Sequence, residues 1–169
     1  MKLQHRIPLY AMLTALVCAA TLLHIPSPGG YSNLGDAIVL LSAFFVGPVW
    51  GAVIGAVGSA FADLLLACAY YIPGTLIVKG GCALIAALIF SIGRKHTTLR
   101  LTLAAIPAEL FMVFGYYLYK AFILANPAGA LTSVPRNLIQ GAVGAAAAVI
   151  LYSVLIKIPT IRKASYYDK

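Results

Sequence analysis

Six apolar runs, each bounded by short polar turns, fill nearly all of this chain, and that pattern is incompatible with a soluble fold. A membrane-spanning helix needs about 20 mostly apolar residues. Pro8 to His24, Leu34 to Val46, Pro48 to Tyr70, Thr75 to Ile92, Leu101 to Ala125 and Val134 to Ile158 are runs of roughly that length or shorter. With 62% hydrophobic residues, 9% charged residues and a mean hydropathy of +0.97, too little polar surface remains to cover a soluble domain. The expectation is an all-α membrane protein with six transmembrane helices, formed as one domain over residues 1–169. The second run is short for a span and requires tilt, extension by its flanks or local thinning.

Lysine and arginine set the orientation, because cytoplasmic loops retain positive charge during insertion. Lys2 and Arg6 precede the first run, Arg94, Lys95 and Arg100 fall between the fourth and fifth, and Lys157, Arg162, Lys163 and Lys169 lie at or beyond the end of the sixth. The opposite turns, Ile25 to Asn33, Tyr71 to Gly74 and Asn126 to Ser133, contain neither residue type. Both termini are therefore expected in the cytoplasm. The net charge of +8 is then an orientation signal that also favours anionic lipid, and it gives no reason to invoke nucleic acid. The first run is long enough to span and is expected to remain rather than be cleaved. Cys18, Cys68 and Cys82 lie within runs without metal-ligand spacing and read as packing residues.

Close backbone approach holds helices together in lipid, so small residues at four-residue spacing mark packing faces. Gly47, Gly51, Gly55 and Ser59, with Gly58 alongside, form one such stripe. Ala11, Ala15 and Ala19 form another, which suits either internal packing or a docking surface for a partner helix. The stretch Gly141 to Ala148 carries the same signal.

A charge near the centre of a spanning helix costs about 2.5 to 3.5 kcal/mol on insertion scales and needs a partner or a purpose. If odd-numbered helices run outward, Asp36, Lys79 and Arg136 lie near the external ends of the second, fourth and sixth helices, and Asp63 and Lys120 lie in the outer parts of the third and fifth. Glu109 is deeper, about 12 Å from the inner end. Pairing between helices and snorkelling to the interface account for part of this set. They do not account for the polar and aromatic residues on the same side: Tyr31, Asn33, Tyr70, Tyr71, Tyr116, Tyr117, Tyr119, Asn137 and Gln140. Asn137 and Gln140 stand three apart on one helical face, with Gly141 and Gly144 opening space deeper down. Such a set suits a pocket for a small, flat, hydrogen-bonding molecule. Pro26, Pro28, Gly29 and Gly30 above it suit a lid, whereas the inner corner at Gly47 and Pro48 is minimal.

Energising and catalytic motifs are missing. Gly93, Arg94 and Lys95 lack the glycine and Ser/Thr spacing of a phosphate-binding loop. His5, His24 and His96 are scattered and give no metal site. No convincing internal repeat of a self-sufficient transporter is present.

The run Tyr31-Ser-Asn33-Leu-Gly35-Asp36, followed by Gly47-Pro48 with Gly51 and Gly55, then Gly58-Ser59-Ala-Phe-Ala-Asp63 and Tyr71-Ile-Pro73-Gly-Thr75-Leu-Ile-Val-Lys79-Gly80, resembles the S components of energy-coupling factor (ECF) vitamin transporters. It looks like their riboflavin, pyridoxine and hydroxymethylpyrimidine subgroup. The resemblance implies a non-enzymatic substrate-capture subunit, multi-pass in the bacterial plasma membrane and without a cofactor. Such a subunit binds a vitamin on the extracellular side and topples when docked on a transmembrane coupling subunit with two ATPase subunits. It implies that Tyr31 and Asn33 belong to a closing outer loop. Asp36, Lys79, Glu109, Tyr116, Asn137 and Gln140 are then substrate-binding, and Ala11, Ala15 and Ala19 dock the coupling subunit. Asp63 is expected as a structural partner of Lys79. Lys120 and Arg136 suit either a phosphate or carboxylate group or an interfacial anchor. A small pyridine or pyrimidine is the first expectation for the ligand and riboflavin the second. An intramembrane enzyme and a structural assembly subunit are the readings from other classes.

Overall fold

The computed structural model describes residues 6–27, 30–92 and 98–167. Lys2, Arg94, Lys95 and Lys169, on which the orientation argument partly rests, and Pro28 and Gly29 of the first outer turn lie outside the described residues. Among the described residues six helices follow the apolar runs: α1 (Ile7–Leu22), α2 (Gly35–Val46), α3 (Pro48–Leu65), α4 (Ile72–Ser91), α5 (Thr98–Leu118) and α6 (Pro127–Leu155), with a short α7 (Pro159–Ala164) after them. One departure from an all-α chain is an antiparallel hairpin, β1 (His24–Ser27) with β2 (Gly30–Asn33), which pairs His24 with Asn33 and Pro26 with Tyr31.

Among the described residues four helical stretches are long and apolar enough to cross a membrane: Pro48–Leu65, Ala69–Ser91, Thr98–Ile123 and Pro127–Leu155. The 16 residues of α1 and 12 of α2 are fewer than a span requires. The position of α2 explains how so short a helix is accommodated. It packs against α1, α3, α4 and α6, and most of its residues are buried, so protein rather than lipid surrounds it. At 1.5 Å per residue it is about 18 Å long.

Counting the π-helical turn Tyr119–Ile123 with α5, two boundaries lie well away from those expected from the apolar runs and the others shift only slightly. The third helix ends at Leu65 rather than Tyr70, and a 3-10 turn (Ala69–Tyr71) leads into α4. The sixth starts at Pro127, seven residues ahead of Val134, because Asn126 caps it by accepting the Gly129 N–H at 2.8 Å. Pro135 lies inside α6 and Pro107 inside α5, where a proline removes a backbone donor yet is tolerated among packed helices.

Small residues set the helix spacing. A side chain on Gly51 would strike the Ala43 backbone at 2.7 Å, and one on Gly58 would strike Thr14 O and Val17 at 2.7 Å. The glycine stripe of α3 is therefore internal packing against α2 and α1. Gly47 makes the one-residue corner between α2 and α3 at φ +87°, a conformation that favours glycine.

Phe44, Phe90 and Tyr152 meet with ring centroids 5.1 to 5.9 Å apart and close the bundle near that corner. The C-terminal tail covers them: Tyr166 N–H donates to Phe45 O at 2.8 Å and the Tyr167 hydroxyl to Ala87 O at 3.0 Å. Tyr10, near the start of α1, stacks on Trp50 at 4.8 Å, so the start of α1 and the tail share the end opposite the hairpin.

Candidate functional site

At the hairpin end, polar side chains replace the apolar core. The first turn of α2 follows directly from β2. Gly35 N–H donates to Asn33 Oδ1 at 2.9 Å, and a side chain at Gly35 would collide with Thr21 Oγ1. This tight entry buries Asp36 completely. Its Oδ1 pairs with Lys79 Nζ from α4, and its Oδ2 accepts Gln140 Nε2 from α6 at 2.7 Å. Gln140 Oε1 in turn accepts the Asn33 N–H at 3.1 Å. The charge at Asp36 is thus matched by one cation and one amide, as a buried carboxylate requires.

Above this network lies a cavity of about 320 Å³. The hairpin and the end of α1 contribute Thr21, His24, Tyr31 and Asn33; α3 contributes Ser59 and Asp63; α4 and the turn before it contribute Cys68, Tyr71, Thr75 and Lys79. The wall opposite is made by Tyr116 and Lys120 with Ser133, Arg136, Asn137 and Gln140. Tyr116 donates to Thr75 Oγ1 at 3.1 Å, and Lys79 Nζ lies 5.5 Å from the centre of the Tyr116 ring, within cation–π range. The Tyr31 ring meets His24 edge-on at 5.7 Å. On the α3 wall, Ser59 Oγ and Asp63 Oδ2 are buried without a hydrogen-bond partner among the described residues, so each is available to a ligand.

Six of the eight expected site residues line this cavity: Tyr31, Asn33, Lys79, Tyr116, Asn137 and Gln140. Asp36 lies beneath it, in contact with Lys79 and Gln140. Glu109 is elsewhere. Its carboxyl lies beside Gly141 and 4.0 Å from Cys82 Sγ, and it borders a smaller, mainly apolar groove with Ile106, Leu110, Val113 and Leu138. The partner of Lys79 is also corrected: within 4.0 Å it is Asp36, not Asp63. Thr75 and Ser59 were not anticipated. Each stands four residues before an anticipated charge, Lys79 and Asp63 respectively, on the same helical face. Among the described residues no three of His, Cys, Asp and Glu gather as metal ligands would.

Ala11, Ala15 and Ala19 are exposed, whereas Leu13, Val17 and Ala20 of the same helix are buried in the bundle.

The family model described as "ECF-type riboflavin transporter, S component" matches residues 2–158. An uncharacterized protein of Pyrococcus woesei is 33% identical over 132 residues, covering 77% of this chain and 86% of that relative. The crystal structure of FolT bound with folic acid has a similar fold, with a TM-score of 0.64 and 21% identity over 88% of this chain and 92% of that one.

Proposed function

Because the chain belongs to the ECF-type riboflavin transporter S component family, we propose that its hairpin-end cavity captures a small vitamin or vitamin precursor from outside the cell. The observation that carries this reading is the convergence of the hairpin and five helices, α1, α3, α4, α5 and α6, on one polar, aromatic-walled cavity whose floor is a neutralised ion pair. A preformed pocket with a few placed polar groups is what binding of a small ring compound requires. Tyr31 and Asn33 close over the ligand, Tyr116 offers a ring face, and Lys79, Asn137 and Gln140 give hydrogen bonds.

In this reading residues 1–169 form one domain that crosses the membrane six times with both termini cytoplasmic. The placement of Arg6, Arg100, Arg162 and Lys163 supports that orientation. Ala11, Ala15 and Ala19 then present a smooth lipid-side face to the transmembrane coupling subunit, and two ATPase subunits drive toppling and release. A pyridine or pyrimidine such as pyridoxine or hydroxymethylpyrimidine is the first choice of cargo, given the modest cavity. Riboflavin is the second, favoured by the description of the family. The double substitution Asn137→Ala, Gln140→Ala tests the site. Ligand affinity measured by calorimetry should fall at least tenfold with an unchanged gel-filtration profile, and unchanged affinity would refute the assignment.

A further inference from the structure

Lys120 and Arg136 are the two cations of the cavity that the ion pair on its floor does not use. Lys120 lies in a π-helical turn, Tyr119–Ile123, that ends α5 and is closed by the Leu124 N–H donating to Tyr119 O at 3.1 Å. Such wide turns redirect side chains and recur at functional sites. Arg136 projects from α6 one residue before Asn137. Both are half-buried and both line the cavity. Among the described residues neither has a carboxylate within 4.0 Å. They are close enough to each other to repel electrostatically. The remaining acid of the cavity, Asp63, projects from α3 and lines the same cavity as the two cations. With Lys79 and Asp36 cancelling, two cations face one carboxylate, and the cavity carries net positive charge. Like charges that line one cavity without a carboxylate partner repel each other, and an anion between them relieves that repulsion. Anchoring at the headgroups would turn their long side chains outward rather than onto the cavity wall.

We infer that the captured molecule is anionic, a small ring compound that, unlike free pyridoxine or hydroxymethylpyrimidine, carries a phosphate or carboxylate group, which lies between Lys120 and Arg136 while its ring occupies the space between Tyr116 and Asp63. The inference rests on the reading of this cavity as the ligand site. Arg136 offers a fork of donors and Lys120 a point charge, a combination suited to a phosphate or carboxylate oxygen set. The unpartnered Asp63 Oδ2 and Ser59 Oγ at the far wall would meet donors on the ring.

Matched neutral and anionic ligands decide the matter. The full-length chain in a neutral detergent is titrated by calorimetry with pyridoxine and pyridoxine 5′-phosphate, riboflavin and its 5′-phosphate, and nicotinamide and nicotinate. The anionic member of at least one pair should bind about tenfold or more tightly than its neutral partner, the worth of one charge-assisted contact. That preference should shrink as salt rises and should fall to within about twofold in Lys120→Gln, Arg136→Gln. The phosphate and carboxylate pairs separate the two anion types. If the double variant fails to fold, the ratio in the unmodified chain and its salt dependence still decide. Binding in which no pair favours its anionic member, or a preference untouched by removing both cations, would overturn the inference while leaving vitamin capture intact. Binding by no member of any pair to folded protein would overturn the capture reading and the inference with it.

Discussion

Gln140 Nε2 donates to Asp36 Oδ2 at 2.7 Å, so a single amide on α6 steadies the carboxylate that Lys79 neutralises from α4. Because Gln140 Oε1 also accepts the Asn33 N–H, the same side chain couples the buried ion pair to the strand that leads into α2. The floor of the cavity and the hairpin strand beside it are therefore one hydrogen-bonded unit.

Replacing Gln140 by leucine removes both contacts. A hydrogen bond to a charged group is worth about 1.5 to 3 kcal/mol. Ligand affinity should drop at least tenfold, and hydrogen exchange at the Asn33 amide should accelerate. Unaltered exchange at Asn33 would show that the hairpin is held independently of α6.

The ion pair itself predicts asymmetric mutational behaviour. Lys79 and Asp36 are 3% and 0% exposed, so Lys79→Met leaves a buried carboxylate unpaired and should destabilise the fold by about 3 to 5 kcal/mol. The double variant Asp36→Leu, Lys79→Met should recover most of that loss in detergent thermal unfolding, although not ligand binding. Losses that simply add would contradict direct pairing.

Much of this was legible in the sequence, and its limits have physical causes. Hydropathy located the long helices, and helical spacing joined Asn137 to Gln140. It could not reveal that α2 is wrapped by four neighbours, because a short apolar run reads the same whether lipid or protein surrounds it. The early start of α6 was hidden by Pro127, Gly129 and Pro135, which resemble a turn until the Asn126 cap is seen. Glu109 was expected in the pocket from its depth and from the family resemblance, and neither specifies which way its side chain faces. The partner of Lys79 depends on how α2, α3 and α4 rotate against one another, which sequence separation does not encode.

Glycines at the helix contacts should differ sharply in tolerance. A side chain at Gly144 would meet Asp36 Cβ at 2.7 Å, whereas one at Gly80 would meet Ala56 Cβ at 3.3 Å. Gly144→Val should cost about 1 to 3 kcal/mol or more and disturb the ion pair, as overpacking does. Gly80→Ala should fold and bind nearly normally. Equal effects at both positions would argue against this packing.

The exposed alanine face separates docking from capture. Ala15→Trp adds bulk on the side of α1 away from Val17 and the core. It should block co-purification with the coupling subunit and uptake while ligand affinity stays within about twofold. Loss of affinity as well would indicate that the face belongs to the bundle's own packing.

The central claim is solitary capture of a vitamin, and the most direct test is the chain purified alone. Mass spectrometry of small molecules retained by the detergent-solubilised protein, followed by calorimetry with the retained compound, should give one vitamin-like ring compound bound tightly at one per chain. Folded protein that retains nothing and binds no member of a vitamin panel would contradict the account.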